Sequence, residues 1–155
     1  MLLNANLLAF GKKLQREDWL ILLAQLEFFY KTAPIGLCLI DRNLCYVRIN
    51  EMLASINDKP VEDHIRRSIH EILPEIAPNV ESICRRVIET GKPILNLEVR
   101  GSAPAKPEEE KNWLVSYDPL KDDYGRVQAV STIVQDITDL QYSRLSATKG
   151  GISGL

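Results

Sequence analysis

The stretch Arg126–Thr138, reading R-V-Q-A-V-S-T-I-V-Q-D-I-T, is the longest β-prone run in the chain, dense in Val, Ile and Thr. As a strand it is apolar on both sides. Val127, Ala129, Ile133 and Ile137 share one face, and Val130 and Val134 the other. A strand that must bury both faces belongs in the middle of a sheet. The turn Asp122-Asp123-Tyr124-Gly125 joins it to Trp113–Leu120 as a hairpin. The run ends at Asp136-Ile137-Thr138, where the pattern becomes polar and helix-permissive. The rest of the chain is expected to be arranged around this strand, and its end to carry change outward.

Two shorter strands, Ile35–Ile40 and Leu44–Ile49, flank Asp41-Arg42-Asn43. With Arg42-Asn43 as a two-residue turn, Cys38 lies opposite Val47 and Ile40 opposite Cys45. Those four are assigned to the core, and Leu37, Leu39, Leu44 and Tyr46 to the other face. The third strand, Ile94–Arg100, alternates with Leu95, Leu97 and Val99 inward. Gly101–Asn112, with its prolines and Glu108-Glu109-Glu110, reads as a solvated loop.

The helical signals are of two kinds. Leu14–Tyr30 places Trp19, Leu22, Leu23, Leu26, Phe29 and Tyr30 at spacings of three and four. Leu20, Ile21 and Phe28 widen that stripe, so this helix needs cover on more than one side. It is the expected lid over the outer face of the first hairpin and, through Trp19, Leu22, Leu23, Leu26 and Phe29, the expected dimer interface. Asn79–Thr90 is a regular helix with Val80, Ile83, Cys84, Val87 and Ile88 on one face, closed by Gly91. Between them, Asn50–Asp58 and Pro60–Ile72 read as short helical turns broken by Pro60, Pro74 and Pro78.

The order of elements gives an α+β domain with a five-stranded antiparallel sheet and helices against one face. At 155 residues the chain is one domain with flanking segments, 1–32 before it and 139–155 after it. Met1–Phe10 is apolar but is followed, not preceded, by Lys12 and Lys13, the wrong order for a secretory signal. Gly150–Gly154 reads as a flexible tail. No apolar stretch approaches the roughly 20 residues of a membrane span. A net charge of −2 argues against nucleic acid as a main partner. Three cysteines, Cys38, Cys45 and Cys84, with no C-x-x-C, suggest neither disulfides nor a metal site and fit a cytoplasmic setting. Nucleophile, base and orienting group do not fall into any catalytic motif, so an enzyme is not expected.

The motifs A-P-I-G-L-C-L-I-D (Ala33–Asp41), Y-V-R-I-N (Tyr46–Asn50), E-T-G-K-P (Glu89–Pro93), W-L-V-S-Y-D-P-L (Trp113–Leu120) and D-I-T (Asp136–Thr138) occur in an order and spacing that resembles a PAS domain. The resemblance covers about Phe28–Thr138 and places the domain at 33–138. It implies strand order 2-1-5-4-3, with the last strand central. It also implies a sensory module of a signalling protein, such as a two-component system, that dimerises. Ligand or redox state would then be relayed through Asp136, Ile137 and Thr138 to a fused or partner effector, a histidine kinase or a cyclic-dinucleotide enzyme. Residue chemistry alone would also explain Asp136 and Thr138 as an ordinary helix cap.

The family's cavity lies between sheet and helices, where Ile40, Val47, Asn50, Ile83, Val87 and Tyr117 would line a pocket for a small hydrophobic ligand. A cavity filled by side chains, leaving a ligand-free dimerisation scaffold, is the alternative. Haem is disfavoured because the helix after Pro78 has no histidine, and His64 and His70 read as surface residues. Flavin bound through a cysteine is disfavoured because the N-C-R-F-L type motif is absent, and Cys84 reads as a core thiol.

Overall fold

The computed structural model describes residues 9–150, with the side chains of 149 and 150 left undescribed. Most of the lead-in Met1–Phe10 and most of the tail Gly150–Gly154 lie outside those residues. In chain order the elements are α1 (Arg16–Thr32), β1 (Gly36–Asp41), β2 (Tyr46–Ile49), α2 (Glu51–Ile56), α3 (Val61–His64), α4 (Ile69–Ile72), α5 (Ala77–Thr90), β3 (Ile94–Ala103), β4 (Lys106–Lys121), β5 (Val127–Asp136) and α6 (Thr138–Gly150). The five strands form one antiparallel sheet in the order β2-β1-β5-β4-β3. β5 is central, paired with β1 along Gly36–Asp41 and with β4 along Trp113–Lys121.

The core lies between the sheet and α2–α5. Cys38, Ile40 and Tyr46 from the first hairpin meet Val115, Tyr117 and Val130 from the centre of the sheet, and Ala77, Cys84 and Val87 of α5. Gly91 closes α5 in the left-handed conformation at φ 63°, where a side chain would be strained.

The first hairpin departs from the expected register. Asp41 Oδ1 accepts from the amides of Asn43 and Cys45, and Leu44 adopts φ 63°. The turn therefore holds one residue more than a two-residue loop. Ile40 pairs with Tyr46, not Cys45, and past a bulge Cys38 pairs with Ile49, not Val47. A one-residue slip exchanges the faces of a strand. Leu44 and Tyr46 accordingly go inside, and Val47 is 43% exposed.

β3 departs in the same way. Asn96 at φ 54° inserts an extra residue, so Ile94 pairs with Tyr117 and Leu97 with Val115. Ile94 and Leu97 face the core, while Leu95 and Val99 are 54% and 43% exposed. The expected loop Gly101–Asn112 is instead strand: β3 runs to Ala103, β4 starts at Lys106, and Ala105 N donates to Ile56 O. Lys106–Lys111 pairs with β3 alone, beyond the end of β5, so its charges stay in water as the pairs Arg100–Glu110 and Lys106–Glu109. An edge arm of this kind tolerates Pro107 and acidic side chains.

α1 is not a lid over the sheet. Its principal contact is α2, and none of its residues is fully buried. Its last turns are tied down by Asn50 and by Arg48, which stacks 3.8 Å over the Tyr30 ring and pairs with Glu27.

Candidate functional site

Across the middle of the sheet, Cys38, Thr132 and Tyr117 lie side by side on β1, β5 and β4. All three are buried. From the opposite side α5 contributes Cys84 and Val87, both with no exposure. Burial pushes the thiols of Cys38 and Cys84 up to about 12 and raises the phenols of Tyr46 and Tyr117 above their ordinary range. Each of these groups is therefore neutral at pH 7. The only buried polar side chains among the described residues are Asn50, Asn57, His64 and Thr132, none of them a carboxylate, ammonium or guanidinium.

Of the residues expected to line a pocket, Ile40, Val87 and Tyr117 are buried in this core and Ile83 packs against it. Val47 points out of it, for the register reason given above. Asn50 has no group to spare. Its Oδ1 accepts from Leu37 N at 2.9 Å and Leu53 N at 3.0 Å, and its Nδ2 donates to Ile35 O at 2.9 Å and Tyr30 O at 3.2 Å. It caps α2 and ties α1, β1 and α2 together.

His64, expected at the surface, is completely buried; His70 is exposed. His64 Nδ1 lies 2.9 Å from Pro60 O, which can only accept, so that nitrogen carries the proton. Its Nε2 then accepts from Asn57 Nδ2 at 3.1 Å. The Tyr46 ring meets the imidazole edge-on, with centroids 5.2 Å apart. Burial, working against the Pro60 carbonyl, lowers the imidazole from its ordinary value. One sequence signal could have located it: His64 stands three residues after Val61, which packs against the core, and so shares its face of α3. No group of three or more His, Cys, Asp or Glu among the described residues could hold a metal ion.

At the end of β5 the side chains close a small network. Lys111 Nζ lies 2.7 Å from Asp136 Oδ2, and Thr138 donates to Asp136 Oδ1 from its hydroxyl at 2.6 Å and from its amide at 3.0 Å. Thr138 Oγ1 in turn accepts from Asn112 N, and Ile137 N donates to Asn112 O. Ile137 itself is buried. Partial burial works against the Asp136 charge, but Lys111 and Thr138 hold its carboxyl below the usual range. The start of α6 is thus fixed to β4 as well as to β5. Trp19, Leu23, Leu26 and Phe29 of α1, the helix that leads into β1 where Gly36 pairs with Val134, are 47–62% exposed, and Leu22 is half-buried. Leu20, Ile21 and Phe28 are exposed as well, so α1 presents apolar surface all round. No helix among the described residues is long and apolar enough to cross a membrane.

Comparison with solved structures places this geometry among sensory proteins. The Vibrio cholerae VqmA dimer without its target DNA, described as a LuxR-type receptor, is 25% identical with a TM-score of 0.64, over 76% of this chain and 52% of that one. A sensor histidine kinase from the same organism is 19% identical with a TM-score of 0.59, over 79% of this chain and 94% of that one. An RNA-binding light-oxygen-voltage receptor is 16% identical with a TM-score of 0.61, over 87% of this chain and 39% of that one. The chain thus spans about half the length of VqmA. These likenesses overturn the exclusion of nucleic acid drawn from net charge. Domains of this shape occur in DNA- and RNA-binding proteins, and the charge of 155 residues says nothing of what a protein carries elsewhere. No curated protein matches the sequence. The family model described as the PAS fold matches residues 30–141. The chain belongs to the PAS family, with its sensory fold.

Proposed function

We propose that the chain is the sensing part of a signalling protein. It dimerises through α1 and passes the state of its core along β5 to an effector that binds nucleic acid. The observation that carries this reading is the junction at Asp136–Thr138. The central strand, which touches the core along its length, is hydrogen-bonded directly into the first turn of α6. A change in strand position therefore reaches the helix without an intervening loop. The exposed apolar surface of α1 supports dimerisation, since monomers rarely leave a contiguous patch of this kind in water. Likeness to VqmA, higher in identity than to the kinase, favours a nucleic-acid effector over the kinase or cyclic-dinucleotide enzyme expected first.

Light scattering on Trp19→Glu/Leu23→Glu tests the dimer, with a folded monomer as the expected result. A variant still dimeric at wild-type strength overturns this interface. The effector is tested on the native protein that carries these residues. Selection from a random DNA library should enrich a sequence, whereas autophosphorylation from ATP with no enrichment overturns a nucleic-acid effector.

A further inference from the structure

A cleft of about 640 Å³ opens at the surface where α5 ends and β5 begins. Its lining holds three cations, Arg42, Lys121 and Arg126, against one carboxylate, Glu89. The chain as a whole carries −2, so this concavity runs against the average charge. Val127, the first residue of β5, organises the three. Arg42 Nη1 donates to Val127 O at 2.6 Å. Lys121 pairs with Val127 across the hairpin, just past a bulge, and Arg126 precedes it. Arg42 has no ion pair among the described residues, and its neighbour Asp41 is committed to the amides of Asn43 and Cys45. Only one of the N–H donors of Arg42 is used within the described residues. Arg126 donates from Nε to Asp122 Oδ2, and neither of its Nη groups has a partner among them. Gly91 and Gly125 complete the wall without side chains. A Cβ on Gly91 would come within 3.3 Å of Lys121 Cε and Nζ, so its absence leaves the ammonium its place.

We propose that this cleft binds a small molecule that carries a phosphate group. The sign of the ligand follows from the charges. Three cations against Glu89, and against Asp122 which pairs with Arg126, leave an excess of one positive charge. The oxyanion follows from the guanidinium forks, whose planar N–H pairs match carboxylate and phosphate oxygens. Phosphate follows from their number. A carboxylate offers two oxygens, which one fork satisfies, whereas two guanidiniums and an ammonium in one wall call for an acceptor with three. Arg42 is already held in place by a carbonyl of β5, so less of its freedom is lost on binding. The small size follows from the volume, which lies in the range of small-molecule sites. The site is separate from the core between sheet and helices, and it lies at the opposite end of β5 from Asp136.

The test titrates inorganic phosphate, phenyl phosphate, acetate and a thymidine oligonucleotide into the 155-residue protein, in a phosphate-free buffer at constant ionic strength, and follows backbone amide shifts. Both phosphates should shift Arg42, Gly91, Gly125, Arg126 and Val127 saturably, and acetate should bind about tenfold more weakly. Arg126→Gln keeps the bond from Arg42 to Val127 O and should weaken phosphate binding about tenfold. Arg42→Lys keeps the charge, loses the fork and should weaken it as well. Arg100→Gln, which removes a guanidinium paired with Glu110 on the β3–β4 arm, should leave binding unchanged. The urea midpoint confirms that each variant is folded, and Arg126→Gln decides if Arg42→Lys is not. Three results overturn the proposal: no saturable shift with either phosphate, phosphate binding at wild-type strength in Arg126→Gln, or acetate binding as tightly as phosphate. Binding of the oligonucleotide where both small phosphates fail also overturns it and assigns the surface to a nucleic-acid backbone. The dimer and the junction are decided separately, by light scattering and hydrogen exchange.

Discussion

Asn57 Nδ2 lies 3.1 Å from His64 Nε2 in the interior of the domain, both residues being buried. The pair closes the helical segment over β2, since His64 also holds Pro60 O and abuts Tyr46. A second proton on the imidazole would set an N–H against the Asn57 N–H and place a charge in an apolar enclosure. The folded protein therefore takes up this proton less readily than the unfolded chain. Stability should be flat above the unfolded value near 6.5 and should fall as pH drops below it, towards the lower folded value. Urea denaturation between pH 8 and 5 checks this, because carboxylates titrate mostly below that window. His64→Phe should be less stable at pH 8 but lose the slope. A wild-type slope that persists in the variant would exclude His64 as its source.

Asn50 is expected to be structural. Asn50→Ala would leave the Leu37 and Leu53 amides and the Ile35 and Tyr30 carbonyls without their partner. Leaving several partly buried backbone groups unsatisfied should cost about 3 kcal/mol. Asn50→Asp keeps both acceptors but aims a carboxylate oxygen at two carbonyls, so it should not restore stability. The urea midpoint reads both variants. Protease sensitivity of α1 should rise with either, since α1 loses its tie to β1.

Gly36 marks how closely α2 approaches the sheet. A methyl group there would sit 3.0 Å from Leu53 Cδ1, 3.1 Å from Leu53 Cβ and 3.3 Å from Val134 Cβ. The Cβ atoms belong to residues fixed on α2 and β5 and cannot swing away. Gly36→Ala should therefore destabilise by about 1–3 kcal/mol, as overpacked cores do. A lowered melting temperature with unchanged far-ultraviolet dichroism is the expected signature.

The central place of β5 was legible from its residues, since a strand apolar on both faces has few places to go, whereas the full strand order followed from the resemblance to a PAS domain. The faces of β1, β2 and β3 were less legible because single residues set them. Leu44 takes a left-handed conformation that leucine seldom adopts, at a turn where Asn43 was the natural candidate. Asn96 does the same in mid-strand. Each shifts a register by one and exchanges inside for outside, which put Val47 and Leu95 on the wrong side and hid Tyr46. His64 was misjudged because Asp63, Arg66 and Arg67 around it are polar, while α3 turns the histidine inward beside Val61. Asn50 was placed correctly in space, but its role depends on partners as far away as Tyr30, which spacing alone does not disclose.

Asp136 is expected to govern the coupling of β5 to α6. Its carboxylate carries the Lys111 pair and both Thr138 bonds. The side chain of Asp136 is 36% exposed and that of Lys111 28%, so the pair is discounted for solvent screening. Asp136→Ala should cost only about 1 kcal/mol of global stability. The local effect should be larger, because Thr138 Oγ1 then loses the acceptor that orients it towards Asn112 N. Amide exchange in the first turns of α6 should accelerate at least tenfold, with little change in β4 and the rest of β5. The folded carboxyl lies below its unfolded value near 3.8, so its contribution is present above that value and lost as pH falls through the folded one. The gap between wild type and Asp136→Ala should therefore be full at pH 7 and close in strong acid. Glu71 and Asp122 titrate alike in both proteins and drop out of the difference. Thr138→Val removes the hydroxyl's bonds and keeps the Lys111 pair. It should reproduce the faster exchange in α6 and weaken the acid dependence without abolishing it, because Lys111 and the Thr138 amide still hold the Asp136 carboxyl down, which separates the strand-to-helix coupling from the surface ion pair.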